Sequence, residues 1–131
     1  MANTLQSSRA PGAVPPGDEG PPIVLVSGLP IPVVEGIADA WAPNPLFVVR
    51  RVPPASLAAA VLETPPRVLL VHGAAARATA DRLAGPFVRV DVLPGPTLED
   101  RANAIERGAA AVLEADLGPE AIAAALARLA L

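Results

Sequence analysis

Few residues of this chain have side chains that could do chemistry, and the first is its single histidine. His72 follows residues 68–71, a short apolar run typical of a strand that is buried on both faces. A side chain at the end of such a strand lies at the carboxyl edge of the sheet, where α/β folds bind ligands. His72 could act there as a pH-sensitive switch or as a phosphoramidate acceptor. The alternative is a histidine that packs and hydrogen-bonds within a loop.

A hydroxyl and two carboxyls lie near the ends of other apolar runs. Ser27 follows the run at residues 23–26, but the sequence offers no histidine–acid pair that would activate its hydroxyl. Glu114 and Asp116 follow the run at residues 111–113 and alternate around one residue, so on a continuing strand they would share a face. Paired carboxylates can carry acid–base chemistry. The other interpretation is a solvated pair on the surface.

The segment after His72 begins a predicted helix at Gly73 and includes Arg77. A helix N-terminus attracts anions, and the guanidinium of Arg77 could assist. The segment lacks the glycine spacing of a dinucleotide-binding loop and the Gly-Lys-Ser/Thr of a nucleotide-binding loop. An ordinary turn between a strand and a helix is therefore the competing interpretation.

Composition argues against several classes of site and partner. The chain has no cysteine, so it can form neither disulfides nor thiolate metal sites, and its single histidine predicts no metal site. All ten basic residues are scattered arginines and the net charge is −3, which argues against nucleic-acid binding. No apolar run approaches the ~20 residues of a membrane span, and the N-terminus lacks the pattern of a signal peptide. We therefore expect a cytoplasmic protein with no membrane partner.

Two regions of the chain differ in composition. Residues 1–21 are rich in proline, glycine and serine and show no periodic apolar pattern. This predicts a disordered tail, because so little apolar surface cannot offset the entropy of ordering it. Hydrophobic residues make up 52% of the whole sequence. The remaining length suits one domain with a real core, so we expect a single folded domain over residues 22–131.

That domain alternates between apolar runs and segments with helical spacing. The predicted strands cover residues 23–26, 46–52, 68–71, 87–93 and 111–113. The predicted helices cover residues 33–41, 57–63, 74–83, 98–105 and 119–131. Prolines and glycines separate these elements, and Thr97 with Asp100 forms a capping-box pattern before the fourth helix. Five strand–helix units with continuous apolar strands predict an α/β fold, a doubly wound five-stranded parallel sheet of flavodoxin-like order, (βα)5.

Two segments resemble the receiver domains of response regulators. Residues 101–129, RANAIERGAAAVLEADLGPEAIAAALARL, are similar to the receiver pattern in which a helix ends in EAGA and a short strand and a PEEL helix follow. Residues 66–72, PRVLLVH, resemble the third receiver strand, which leads to the phosphate-accepting aspartate. The resemblance covers residues 22–131 and implies the CheY-like form of the flavodoxin-like fold.

The residues that do phosphoryl chemistry in receivers are replaced here. Receivers hold Mg²⁺ with two acids after the first strand and the acceptor aspartate, and a Thr or Ser and a lysine contact the phosphoryl group. The matching positions of this chain are Ser27 and Gly28, His72, Leu93, and Ala115 or its neighbour Glu114. Mg²⁺ prefers carboxylate oxygens, and phosphoryl transfer requires that the negative charge on the phosphoryl oxygens is neutralised. The resemblance therefore implies a degenerate receiver, a pseudo-receiver, that is not an enzyme and needs no cofactor or metal.

From the resemblance we expect a phosphorylation-independent module of bacterial signalling that binds another protein. In receivers the fourth helix, fifth strand and fifth helix form the usual output and dimer surface. We therefore expect the interface, with a homodimer as one form, in residues 97–131. Its predicted residues are Leu98, Ala102, Ile105, Leu113, Ala124 and Arg128. The alternative function is a small-molecule-binding or enzymatic α/β domain, with its ligand over Ser27, His72 and Leu93.

Overall fold

The computed structural model describes residues 21–42 and 47–130, and within these ranges strands and helices alternate as predicted. The strands are β1 (Ile23–Ser27), β2 (Val48–Arg51), β3 (Val68–His72), β4 (Val88–Leu93) and β5 (Ala111–Glu114). The α-helices are α1 (Ile31–Ala40), α2 (Leu57–Glu63), α3 (Ala74–Ala80), α4 (Leu98–Glu106) and α5 (Pro119–Ala130). A short 3₁₀ helix, Pro54–Ser56, precedes α2. The tail predicted over residues 1–21 lies almost entirely outside the described residues.

The five strands form one parallel sheet in the order β2-β1-β3-β4-β5. This is the doubly wound, flavodoxin-like order, so the predicted fold class is confirmed. The chain leaves β1 toward one edge of the sheet and later returns to place β3 on its other side. The carboxyl ends of β1 and β3 therefore flank the point where the strand order reverses, which is where open α/β sheets bind ligands.

Apolar residues fill both faces of the sheet, because alternate side chains of each central strand point to opposite sides. One core lies between the sheet and helices α1 and α5, and its fully buried members include Val24, Val26, Ile37, Leu70, Val90, Ile122 and Leu126. The other lies beneath α2 and α3 and includes Leu25, Leu57, Leu69 and Val71. Trp41 joins the first core, and its ring lies 4.9 Å from that of Phe47, centroid to centroid.

Two helix ends show how local sequence sets the boundaries. The predicted capping box of α4 is confirmed, since the Thr97 hydroxyl accepts from the Asp100 N–H at 3.0 Å and the Asp100 carboxylate accepts from the Thr97 N–H at 3.0 Å. Helix α3 ends at Ala80, three residues before the predicted end at residue 83. The turn beyond it tightens into bonds spanning three residues, such as Leu83 N–H to the Ala80 carbonyl at 3.0 Å. Within the described ranges, no helix combines the length and apolar character needed to cross a membrane.

Candidate functional site

The carboxyl edge of the sheet carries the three residues predicted for a ligand site. Ser27 pairs with Val71 and His72 pairs with Val92 in the parallel ladders, so these residues and Leu93 end adjacent strands. Alternation along the strands places Ser27 and Leu93 on the face that α2 and α3 cover and His72 on the opposite face. The three residues are neighbours at one edge, but their side chains do not converge on one side of the sheet.

Main chain fills the space between the ends of β1 and β3. Gly28 has a φ of +96°, a conformation that side-chain-bearing residues rarely adopt. A Cβ at this position would overlap the carbonyl oxygen of His72. Position 28 therefore accepts only glycine unless the two strand ends move apart.

The His72 imidazole is half-buried and tied to the next strand. Its Nδ1 lies 3.0 Å from the carbonyl oxygen of Val92. A carbonyl can only accept a hydrogen bond, so Nδ1 carries the proton and donates it. This leaves Nε2 as the ring nitrogen available to a ligand. The imidazole thus packs and hydrogen-bonds, but it does so between two strand ends and not within a loop.

Ser27 is fully buried, and its hydroxyl has no hydrogen-bond partner among the described residues. An unsatisfied buried hydroxyl costs roughly 1–3 kcal/mol. No described residue lies within hydrogen-bond distance of this hydroxyl to act as an activating base. The part of the chain that the structure describes also holds no group of three or more His, Asp or Glu side chains that could bind a metal ion.

Leu93 contributes to a groove between α3 and α4, which we call the α3–α4 groove. Its volume is about 270 Å³, and Asp91 and Leu93 of β4 form its floor. One wall is Arg77 of α3, and the other is formed by Asp100, Asn103 and Arg107 at the α4 side. Of the three residues predicted for a ligand site, only Leu93 reaches this groove. The ligand site over Ser27, His72 and Leu93 stays a prediction.

A buried ion-pair network lies beneath the α3–α4 groove. Arg89 and Asp91 are 4% and 1% exposed, and they form two parallel hydrogen bonds, Nε–Oδ1 at 2.8 Å and Nη2–Oδ2 at 3.1 Å. Nη1 of Arg89 also donates to Asp81 at 2.8 Å and to the main-chain carbonyl of Arg107 at 3.2 Å. Asp81 and Arg107 are the C-caps of α3 and α4, so one guanidinium joins β4 to the ends of both helices.

Electrostatics keep Arg89 charged in this buried position. Burial lowers the pKa of Arg89, but the hydrogen bonds and negative charges of Asp91 and Asp81 outweigh that effect and raise it overall. The sequence analysis did not predict this network, because it identified the strand from Val88, Val90 and Val92, which lie on one side of it. The alternation of the strand could have predicted it. A central strand of a doubly wound sheet is buried on both sides, and the second side of this strand carries Arg89 and Asp91.

Most of the predicted interface residues are exposed. Three of them lie along one side of helix α4, and we call this row the α4 stripe. The α4 stripe consists of Leu98, Ala102 and Ile105, and Leu98 is 87% and Ile105 50% exposed. Ala124 and Arg128 of α5 are exposed as well. Leu113 differs, because it is half-buried and packs against the core.

The two acids near the end of β5 lie on the surface. Arg101 of α4 pairs with Glu114 at 3.2 Å, and the same guanidinium donates to the Val112 carbonyl at 3.3 Å. Asp116 is exposed in the turn that follows. Glu114 therefore forms an exposed ion pair that links α4 to the edge strand, whereas Asp116 is exposed to solvent.

No model of a known protein family matches the chain, and no curated protein does. Several solved structures do. The receiver domain of NtrX from Brucella abortus superposes with a TM-score of 0.66 and 18% identity, over 80% of this chain and 95% of that one. An orphan response regulator of H. pylori gives 0.68 and 15% identity, over 81% and 93% of the two chains.

A third similar structure is an atypical orphan response regulator, described as revealing a phosphorylation-independent regulatory mechanism. Its TM-score is 0.69 with 18% identity, over 82% of this chain and 94% of that one. At these identities the similarity shows the fold alone. The chain has the fold of response-regulator receiver domains.

Proposed function

We propose that this chain is a pseudo-receiver, a degenerate member of the receiver family that works in bacterial cytoplasmic signalling by binding another protein. It is not an enzyme and needs no phosphoryl group. The carboxyl edge of the sheet carries this proposal. Where receivers hold acids for Mg²⁺ and phosphate, this edge has a buried hydroxyl at Ser27, a bare backbone at Gly28 and an imidazole at His72. None of these offers the carboxylate oxygens that Mg²⁺ prefers.

The packing at Gly28 gives this proposal further support. An acid cannot be restored there by substitution alone, because a Cβ would overlap the His72 carbonyl. The neighbouring positions Leu93 and Ala115 add neither a hydroxyl nor a cation, and the chain has no lysine. The loss of phosphoryl chemistry therefore involves backbone geometry as well as side-chain identity. A phosphorylation-independent mechanism is described for a structure of the same fold, and this is consistent with the proposed pseudo-receiver.

Phosphoryl analogues test the absence of phosphoryl chemistry. Beryllofluoride with Mg²⁺ is added to the ¹⁵N-labelled protein, and a phosphorylatable receiver domain is treated in parallel as the positive control. We expect the amide spectrum of this chain to stay unchanged, and acetyl phosphate to add no mass. Specific phosphorylation, or saturable Mg²⁺ binding at the carboxyl edge, would overturn the proposal.

The proposed contact surface is the 97–131 region, with the α4 stripe at its centre. Leu98 and Ile105 are large apolar side chains exposed on a helix whose opposite side meets the rest of the domain. Large exposed apolar groups that cluster on one helix face mark interaction sites more often than isolated ones do. The partner is another protein or a second copy of this chain.

The interface is tested with a pair of matched variants. Leu98→Arg places a charge on the α4 stripe, and Leu62→Arg places one on α2, where Leu62 is 81% exposed outside the proposed surface. We expect only Leu98→Arg to abolish self-association in sedimentation, or binding of an identified host partner. Equal effects of both variants, or no effect of Leu98→Arg, would contradict this surface.

The alternative function, a ligand site over Ser27, His72 and Leu93, needs a different test. A ligand that binds only the folded state raises the melting temperature. A small-molecule hit in a thermal-shift screen that disappears in His72→Ala would favour that function. A hit that still raises the melting temperature of the His72→Ala variant would argue against a ligand site at His72.

A further inference from the structure

We propose that the α3–α4 groove binds a small organic monocarboxylate, a molecule with one carboxylate group on a short aliphatic body. The groove volume of about 270 Å³ is near the lower end of ligand cavities and is large enough for a molecule of this size. Charged side chains line two of its sides, and a buried carboxylate lies in its floor. The inference concerns a site on the side of α4 opposite the α4 stripe, which is the centre of the proposed contact surface.

The cations of the groove have hydrogen-bond donors to spare. Arg77, on the α3 wall, is half-buried, and its guanidinium makes no hydrogen bond or ion pair within the described ranges. Arg107, at the end of α4, approaches Asp81 only to 3.9 Å, and its side chain is 59% exposed. Guanidinium groups bind carboxylates through paired, charge-assisted hydrogen bonds. Two of them therefore offer unused donors to a ligand in the same groove.

The acids of the groove are already engaged. Both carboxylate oxygens of Asp91 accept from Arg89. One oxygen of Asp100 accepts from the Thr97 N–H. The favourable ligand group is consequently an acceptor with negative charge, because free donors outnumber free acceptors around the groove.

The local charge balance argues against a multiply charged ligand. The groove and its underlying network contain three arginines and three aspartates, namely Arg77, Arg89, Arg107, Asp81, Asp91 and Asp100. Their formal charges cancel, so a dianion such as a phosphate ester would leave two uncompensated negative charges in the groove, whereas a monocarboxylate leaves one. The exposed Asp100 carboxylate on the groove wall would also repel a multiply charged ligand more strongly than a monocarboxylate.

The apolar lining of the groove accounts for the aliphatic body of the ligand. Leu93 and Ala104 are buried residues whose surfaces border the groove, and Pro94 continues this border at the end of β4. A short hydrocarbon body placed there would be removed from water, which is favourable in proportion to the apolar area covered. The Asn103 amide on α4 offers one further donor to the carboxylate.

The α3–α4 groove and the α4 stripe occupy opposite sides of the same helix. At 100° per residue, Asp100, Asn103 and Arg107 project about 180° away from the centre of the stripe. A ligand in the groove would not cover Leu98 or Ile105. The groove proposal can therefore be tested separately from the α4 stripe.

A pair of isosteric probes tests the groove directly. Isovalerate, a branched aliphatic carboxylate, and its uncharged amide are titrated into the ¹⁵N-labelled full chain at equal ionic strength. We expect isovalerate to cause saturable shifts in amides of β4, α4 and the end of α3, and isovaleramide to cause none. Binding of both probes alike, tighter binding of inorganic phosphate than of isovalerate, or no saturable shift with either probe would overturn the proposal.

Variants assign the binding to the two guanidiniums. Arg77→Gln and Arg107→Gln should each weaken isovalerate binding about tenfold or more. Arg50→Gln, on the exposed edge strand β2, removes the same charge away from both the groove and the proposed contact surface and should leave the affinity unchanged. The amide spectrum of each variant reports whether it is folded, and two independent variants keep the test decisive if one is not. Affinity unchanged in both groove variants would contradict the assignment.

Discussion

Gly28 packs directly against the main-chain carbonyl of His72, with a φ of +96° and no space for a Cβ. Gly28 follows β1 and His72 ends β3. These strands are neighbours at the point where the strand order reverses. In an open α/β sheet this point is normally a crevice for ligands. Here the main chain fills it beside Gly28, and the α3–α4 groove lies to one side, next to the end of β4.

The contact predicts that substitution of Gly28 is costly. Gly28→Ala should lower the free energy of unfolding by about 2 kcal/mol or more, because strain at positive φ adds to overlap with a carbonyl that cannot rotate away. Urea unfolding followed by circular dichroism measures the loss. Gly73→Ala is the matched control, since Gly73 has a φ of +93° and a Cβ at that position would meet no other atom within 4 Å. Equal losses in the two variants would show that φ strain alone, and not the contact, sets the cost.

The fold could be predicted from the sequence because the patterns that mark its strands and helices each lie within a short stretch of the chain. The run at residues 68–71 and the spacing of Ile122 and Leu126 each report burial directly, and Thr97 with Asp100 marks a helix start. Proline and glycine separate the elements. Parallel strands buried on both faces then leave few topologies.

The contacts of the site could not be predicted in the same way. The Arg89–Asp91 pair spans two positions of one strand, but its third partner, Asp81, and the Arg107 carbonyl come from helix ends whose positions depend on the whole fold. The overlap at Gly28 likewise depends on how closely two strand ends approach. A single sequence shows that such residues exist, and only their tertiary placement shows that they meet.

The buried network predicts a large penalty for removing its cation. Arg89→Met should cost about 3–5 kcal/mol of unfolding free energy, because it leaves the Asp91 carboxylate buried without a counter-charge. The double variant Arg89→Met/Asp91→Leu should recover most of that loss, since it removes the unpaired charge. Chemical denaturation of both variants checks this. A double variant no more stable than the single one would mean that the network stabilises through its links to α3 and α4 and not through charge pairing.

The buried hydroxyl of Ser27 predicts an effect in the opposite direction. Ser27→Ala should leave stability unchanged or raise it by up to about 1 kcal/mol, because it removes a polar atom with no partner among the described residues. The melting temperature and denaturant midpoint report the change. Ser56→Ala, on the exposed turn before α2, provides a serine substitution outside the core. A loss of more than about 1 kcal/mol on Ser27→Ala would indicate a hidden partner for the hydroxyl, such as a bound water or ligand.

The capping box of α4 predicts a specific response to acid. The main-chain N–H of Thr97 and then its side chain lower the pKa of Asp100, desolvation opposes them, and the positive charge of Arg77 contributes the smallest effect, a further decrease. Because the pKa is lower in the folded state than in the unfolded state, the carboxylate stabilises the fold at pH values above the usual aspartate range. This stabilisation disappears as the pH falls through the depressed pKa, when the folded form also becomes protonated.

Carbon-detected NMR titration of the Asp100 carboxyl measures its pKa, which should lie below that of an unstructured aspartate. Asp100→Asn removes the titrating group, so the stability difference between wild type and this variant should shrink as the solution is acidified through the same range. Arg77→Gln should raise the pKa of Asp100, because it removes a positive charge that favours the carboxylate. An Asp100 pKa at or above the unstructured value would show that the carboxylate does not cap α4 in solution, and that wall of the α3–α4 groove would then lack the geometry described here.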